Sequence, residues 1–318
     1  MEYRIQNKTM SLSFTVPIIG LGAAPLGGTD NDAFSVGTAE RANDTVQHCL
    51  RNGINFFDTA PLYGSGLSEQ RLGAALASVP RAQFILQSKI GVVVNADGSI
   101  TRSYARDRVL RSVDDSLKRL QVDYLDMALI HDADSHFRGA LEEAYPALAD
   151  LKRQGIIRAI GAGMNQWEME AEFARQADFD CFLLAGRYTL LEQDPIREYL
   201  PLCQQKNISV FLGGIFNSGI LATGAVPGAR YQYAEPPPHI LDKTRKIEAV
   251  CARHKVALKA AALQFPLAHP AVKSLVVGMI KPQEIDENLT ALRAPIRAAF
   301  WDELRSLNLV DPAAPTPA

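Results

Sequence analysis

The chain has 318 residues, 35 of them acidic and 33 basic, for a formal net charge of −2. That balance excludes a broad nucleic-acid or polyanion face, which needs clustered excess Lys and Arg. Although 47% of the residues are hydrophobic, no run of 18 apolar residues occurs, so a membrane span is not expected, and a core of this size needs neither disulfides nor a structural metal.

Cys49, Cys181, Cys203 and Cys251 are widely spaced and form no CxxC pair, so no zinc ribbon, dithiol motif or other metal site is expected. Residues 1–10 carry Glu2, Arg4 and Lys8 and lack an apolar signal core, which points to a cytoplasmic protein.

Short apolar runs alternate with helical patterns along the chain. The runs 17–22, 54–58, 84–89, 124–131, 157–161, 180–184, 208–212 and 273–278 are rich in Val, Ile, Leu and Phe without strict alternation. That is the pattern of strands buried on both faces of a parallel sheet. Between them, amphipathic helices are expected over 39–52, 68–77, 106–120, 138–154, 168–177, 194–206, 239–254 and 283–293. Arg51-Asn52-Gly53 and Lys152-Arg153-Gln154-Gly155 close two of these with cations in the last turn and Gly beyond it. Eight strand–helix repeats are the count of a (β/α)8 TIM barrel, α/β in class and one domain over 1–318.

A doubly wound sheet is the alternative, and Gly20-Leu21-Gly22 is the nearest candidate for the Gly-rich turn it needs after the first strand. Pro25 stands where that fingerprint needs its third small residue, which argues against it. Outside the repeat, residues 1–16 are expected to form a hairpin capping the barrel bottom, and 213–238 a long Gly/Pro-rich connection of the kind that serves function. The Pro/Ala-rich tail, 311–318, is expected to be disordered.

Barrel active sites sit at the C-terminal strand ends. There the second strand ends in Asp58, followed by Tyr63; the third ends in Lys89 and the fourth in His131. A lysine ammonium favours the tyrosinate and is expected to lower the pKa of Tyr63, a carboxylate holds the lysine, and a neutral His hydrogen-bonds a substrate oxygen. Tyr63 is then a general acid or base.

The segment Phe56-Phe57-Asp58-Thr59-Ala60-Pro61-Leu62-Tyr63-Gly64, with Ser68-Glu69, Lys89 and Asp126-Met127-Ala128-Leu129-Ile130-His131, resembles the aldo-keto reductase signature. Gly278-Met279-Ile280-Lys281-Pro282 through Asn288 is similar to the adenosine-binding segment of that family. The resemblance implies a barrel that binds a nicotinamide dinucleotide, with Tyr63 as acid/base supported by Asp58, Lys89 and His131. It also implies cofactor contacts at Asn165 (nicotinamide carboxamide), at Ser218 and Gly219 (pyrophosphate), and at Gly278, Lys281, Glu284 and Asn288 (adenosine side). The usual serine before Asn165 and the strand-six glutamine are absent here.

Four positions before Asn288, where NADP-specific relatives carry a cation, this chain carries Glu284. A carboxylate repels a 2′-phosphate and accepts a bond from a ribose 2′-OH, so NAD is expected over NADP. Relatives with a similar 24–28 segment, Gly-Met-Asn turn and Phe-Asn-Ser-Gly loop oxidise free aldoses of the L-fucose, D-arabinose or L-galactose type at C1, giving lactones. Pyridoxal, another cyclic hemiacetal, is the alternative substrate, as is a general aldehyde. A nicotinamide-sensing regulatory barrel is a reading from outside enzymes. Expected substrate walls are Pro25, Leu26, Asp132, Trp167, Phe216, Tyr231 and Tyr233. A monomer or weak homo-oligomer acting on a small molecule is expected.

Overall fold

The computed structural model describes residues 12–29, 35–95, 97 and 99–317. Eight parallel strands close into a barrel: β1 (Ile19–Gly22), β2 (Phe56–Asp58), β3 (Ile85–Ile90), β6 (Leu125–His131), β7 (Ile157–Met164), β8 (Cys181–Ala185), β9 (Ser209–Gly213) and β10 (Val272–Gly278), which pairs back onto β1. A separate antiparallel hairpin, β4 (Val92–Val94) and β5 (Ile100–Arg102), stands just beyond β3. The helices are α1 (Ala39–Arg51), α2 (Leu67–Leu76), α3 (Arg106–Leu120), α4 (Phe137–Gly139), α5 (Tyr145–Arg153), α6 (Trp167–Gln176), α7 (Tyr199–Gln205), α8 (Ile220–Thr223), α9 (Pro238–His254), α10 (Leu258–Leu267), α11 (Pro282–Arg293) and α12 (Ala298–Ser306).

The alternation of side chains along a strand builds the site. Successive residues point to opposite faces, and Phe56, Ile85, Met127, Leu129, Leu183, Phe211 and Val276 form an inner cluster distinct from the larger core under the helices. Two residues beyond Phe56 comes Asp58; beyond Ile85 come Gln87 and Lys89; beyond Leu129 comes His131. The same period that fills the barrel with apolar groups therefore sets these polar groups on top of it. Glycine makes room for the apolar layer beneath them: a Cβ on Gly161 would meet Leu129 at 2.3 Å, and one on Gly163 would lie 3.3 Å from the same side chain.

The expected hairpin at 1–16 falls mainly outside the described residues. Residues 12–16 contain no strand, yet Leu12 and Val16 are buried and close the inner cluster from below. The expected helix over 138–154 is instead α4, a widened turn at Ala140–Ala144 and α5, whose second residue is Pro146. Proline offers no N–H and crowds the carbonyl four residues back, so the backbone widens there. The helix expected over 194–206 divides into a tight turn (Asp194–Arg197) and α7, broken at Glu198.

The tail expected to be disordered packs instead. Ala314 is 1% exposed, Asp311 pairs with Arg197, and Arg305 donates to Thr316 Oγ1 at 2.7 Å. Its Pro/Ala composition lacks helical or strand periodicity but not apolar surface. Among the described residues no helix is long and apolar enough to cross a membrane.

Candidate active site

Asp58 and His131 end β2 and β6, Lys89 is the penultimate residue of β3 between them in the barrel wall, and Tyr63 lies in the turn after β2. Lys89 Nζ donates to Asp58 Oδ1 at 2.6 Å and to the Thr59 carbonyl at 2.9 Å. It lies 4.8 Å from the centre of the Tyr63 ring. The Tyr63 and His131 rings meet edge-on with centroids 6.0 Å apart. Four groups from three βα junctions thus share one small volume at the barrel mouth.

Tyr63 is positioned by backbone. Gly64 has φ +60°, and a Cβ on it would lie 2.0 Å from the Gly27 carbonyl oxygen. A Cβ on Gly27 would lie 2.6 Å from Tyr63 backbone atoms. The turn Ala24–Gly27 after β1 therefore rests directly on the Tyr63–Gly64 peptide, and only glycine permits that approach. Arg71 of α2 secures the turn, donating to the carbonyls of Leu26 (2.6 Å), Gly28 (2.8 Å) and Gly37 (2.7 Å). Ser68 and Glu69, part of the motif read from sequence, support the site from behind. Ser68 Oγ donates to the Ala23 carbonyl, and Glu69 accepts from Ser88 and Arg119.

The electrostatics correct one expectation. The pKa of Tyr63 is raised, not lowered: burial pushes it up, Lys89 pulls it down, and the Asp58 charge pushes it up again. Burial alone would lower Lys89, but the Asp58 charge and Tyr63 more than offset it, so its pKa is raised and the ammonium persists. Burial, then Lys89 and Arg102, hold His131 well below its usual range, so the ring is neutral. Its Nδ1 is buried without a partner among the described residues.

Gln87 was not foreseen. Its Nε2 donates to Asp58 Oδ1 at 2.7 Å, so the same oxygen that holds Lys89 is oriented from a second side. A polar residue inside a buried strand, two positions before the lysine, was the available signal.

The cofactor candidates sit around the same rim. Asn165 is exposed immediately after β7. Ser218 (φ +62°) accepts the Tyr233 N–H at 2.9 Å, and Gly219 (φ +106°) has open space where a side chain would be. Gly278 ends β10 opposite Gly22, and a Cβ there would lie 3.4 Å from Pro25. Lys281 caps α11 and is exposed, and Glu284 reaches back to accept the Ile280 N–H at 2.9 Å. Asn288 is 3% exposed, and its Oδ1 has no partner among the described residues. A buried acceptor that awaits a donor fits an adenine nucleotide better than a filled core.

The expected substrate walls divide. Pro25, Asp132, Trp167 and Phe216 are half-buried near strand ends. Leu26 is 1% exposed within the main core and shapes the mouth only through its backbone. Tyr231 is also buried, held by paired bonds with Ala234, whereas Tyr233 projects into solvent, 83% exposed.

The aldo/keto reductase family profile matches residues 18–309. The chain belongs to this family. Among its relatives, pyridoxal 4-dehydrogenase of Microbacterium luteolum is 34% identical, aligned over 93% of this chain and 95% of that protein. D-threo-aldose 1-dehydrogenase of a Pseudomonas species is likewise 34% identical, over 95% and 96%. The solved holo form of an aldo-keto reductase from Bacillus halodurans superposes with a TM-score of 0.78 at 26% identity, covering 93% of each chain. Aldo-keto reductases are oxidoreductases that bind nicotinamide cofactors.

Proposed function

We propose that this aldo-keto reductase oxidises the C1 hemiacetal of a free aldose, of the L-fucose, D-arabinose or L-galactose type, to its lactone, using NAD. The observation that carries the reading is the meeting of Tyr63, Lys89, Asp58 and a neutral His131 at one barrel mouth. NAD supplies the hydride acceptor when bound. Asn165 would hold its carboxamide, Ser218 and Gly219 the pyrophosphate, and Gly278, Lys281, Glu284 and Asn288 the adenosine side.

Each catalytic role follows from chemistry. His131 has one ring N–H to give and no charge, so it orients the substrate oxygen without competing for its proton. Tyr63 takes the proton of the anomeric hydroxyl as the C–H bond breaks. Lys89 is fixed by the Thr59 carbonyl and by Asp58, itself held by Gln87, and stabilises the developing tyrosinate through its charge. Glu284 supports NAD, since a carboxylate where NADP-specific relatives carry a cation would repel a 2′-phosphate.

Pyridoxal is the second reading, supported by a relative of that name at the same 34% identity. A panel of pentoses, 6-deoxy sugars, pyridoxal and simple aldehydes, each with NAD and NADP, followed by cofactor absorbance, tests both. Oxidation of no sugar removes the first reading. Replacing Tyr63 by Phe is expected to cost about 10²–10⁴-fold in turnover with cofactor binding kept. Turnover within a few-fold of wild type would show that Tyr63 is not the acid/base.

A further inference from the structure

Asp132 directly follows His131 and is the first residue beyond β6. Its backbone is left-handed, φ +44°, a region that residues with side chains visit rarely, Asp more readily than most. Four bonds hold it there, one of them from Arg102, whose guanidinium reaches the Asp132 carbonyl at 3.5 Å. Its N–H donates to the Gly163 carbonyl at 3.1 Å, and the Tyr104 hydroxyl reaches the carbonyls of both His131 (2.6 Å) and Asp132 (3.0 Å). Strain maintained by this much surrounding structure is characteristic of working sites.

The conformation turns the carboxylate back toward the catalytic ring, with Oδ2 3.7 Å from His131 Nε2. With the imidazole neutral this is no ion pair. Arg102, the last residue of the β4–β5 hairpin, stands 3.9 Å away on the other side. Both distances exceed a hydrogen bond, so among the described residues the Asp132 carboxylate accepts none. Burial raises its pKa while Arg102 opposes the rise, as expected for a half-dry acceptor with a loosely held counter-charge. With 32% of its side chain exposed, this acceptor-only group is served by water until a donor on a substrate displaces it.

We propose that Asp132, steered by Arg102, determines specificity by accepting a hydrogen bond from a hydroxyl on the carbon next to the reacting one. The substrate class is then α-hydroxy aldehydes and the cyclic hemiacetals of aldoses. This rests on the reading above, in which His131 and Tyr63 hold the reacting oxygen. The carboxylate beside His131 meets whatever is attached one carbon away. Aldoses carry a hydroxyl there, whereas the pyridoxal ring places its nearest hydroxyl one carbon further.

The test compares reduction of glyceraldehyde and of 3-hydroxypropanal, which differ only in the adjacent hydroxyl, with reduced cofactor. A hydrogen bond to a charged group corresponds to about 10–100-fold in kcat/KM. Wild type is expected to prefer glyceraldehyde by about that factor. Asp132→Asn is expected to lose about 10–100-fold more on glyceraldehyde than on 3-hydroxypropanal. Arg102→Gln is expected to shift selectivity the same way by less. Equal wild-type rates on the two aldehydes, or equal losses in the variants, overturn the proposal and leave the oxidoreductase reading intact. Turnover of neither aldehyde and of no sugar removes both. The wild-type ratio alone decides should Asp132→Asn not fold.

Discussion

Lys89 and Asp58 form an ion pair of 2.6 Å with only 2% and 5% of their side chains exposed, directly beneath the Tyr63 ring. Removing one member of such a pair leaves an uncompensated charge in a dry setting, which costs about 3–5 kcal/mol. Asp58→Asn is therefore expected to lower unfolding free energy by about that amount, read from the urea midpoint. The Asn amide cannot neutralise the ammonium, and its geometry toward Gln87 changes. An unchanged midpoint would mean that water reaches the pair.

The pH profile tests the same network in two opposite directions. For oxidation Tyr63 acts as a base, so activity rises with pH as its hydroxyl ionises. Burial raises that pKa, Lys89 lowers it and Asp58 raises it. Lys89→Met is thus expected to move the rising limb of kcat/KM to higher pH, and Asp58→Asn to lower pH. His131 is already neutral and contributes no limb near neutrality. Shifts of the same sign in both variants would show that the limb belongs to another group.

Much of this site was legible because a barrel projects chemistry from strand ends, and Asp58, Lys89 and His131 are the final or near-final residues of short apolar runs. What was not legible has physical causes. The α10 helix is apolar nearly all round with Pro266 inside, so it carries no amphipathic period. The β4–β5 hairpin is two three-residue strands, too short for a repeat to register, yet it delivers Arg102 and leads into Tyr104. The sign of the Tyr63 shift depended on how deeply the ring is buried, a tertiary quantity that no local pattern contains.

Glu284 is expected to set cofactor choice, and the structure gives its replacement a predictable cost. Its side chain bonds the Ile280 N–H, a cap-like contact whose loss is about 1 kcal/mol. Glu284→Arg should nevertheless tighten NADP binding, because a guanidinium pairs with a phosphate where a carboxylate repelled it. Titration of both cofactors by tyrosine and tryptophan fluorescence measures this without turnover. Unchanged NADP affinity would place the 2′ position elsewhere.

The approach of Gly27 to Gly64 predicts a catalytic effect from a residue with no chemistry. Gly64→Ala adds a methyl at 2.0 Å from the Gly27 oxygen in a left-handed backbone. The peptide has to move, carrying Tyr63 with it, and misplacement by about 1 Å costs about 10²-fold in rate. Turnover should fall by that order with cofactor binding largely preserved. Arg71→Met, which frees three carbonyls of the supporting turn, is expected to act in the same direction. Loss of cofactor affinity with unchanged turnover would contradict this coupling.

His269 predicts the acid side of stability. It is 5% exposed, its Nδ1 accepts the Ala271 N–H at 3.2 Å, and burial, aided by Lys273, lowers its pKa from 6.5 to about 4. The folded state thus binds this proton less readily than the unfolded chain. The stability it contributes is complete above pH 6.5 and lost as pH falls toward 4. At about 1.4 kcal/mol per pH unit, the full loss is about 3 kcal/mol, most of it reached by about pH 4.5. His269→Asn keeps an acceptor for Ala271 but cannot titrate. Its unfolding free energy should therefore fall less than that of wild type between pH 7 and 4.5, by about 2–3 kcal/mol. Equal slopes for the two proteins would show that the ring is protonated in place without cost, with Ala271 N–H finding another acceptor.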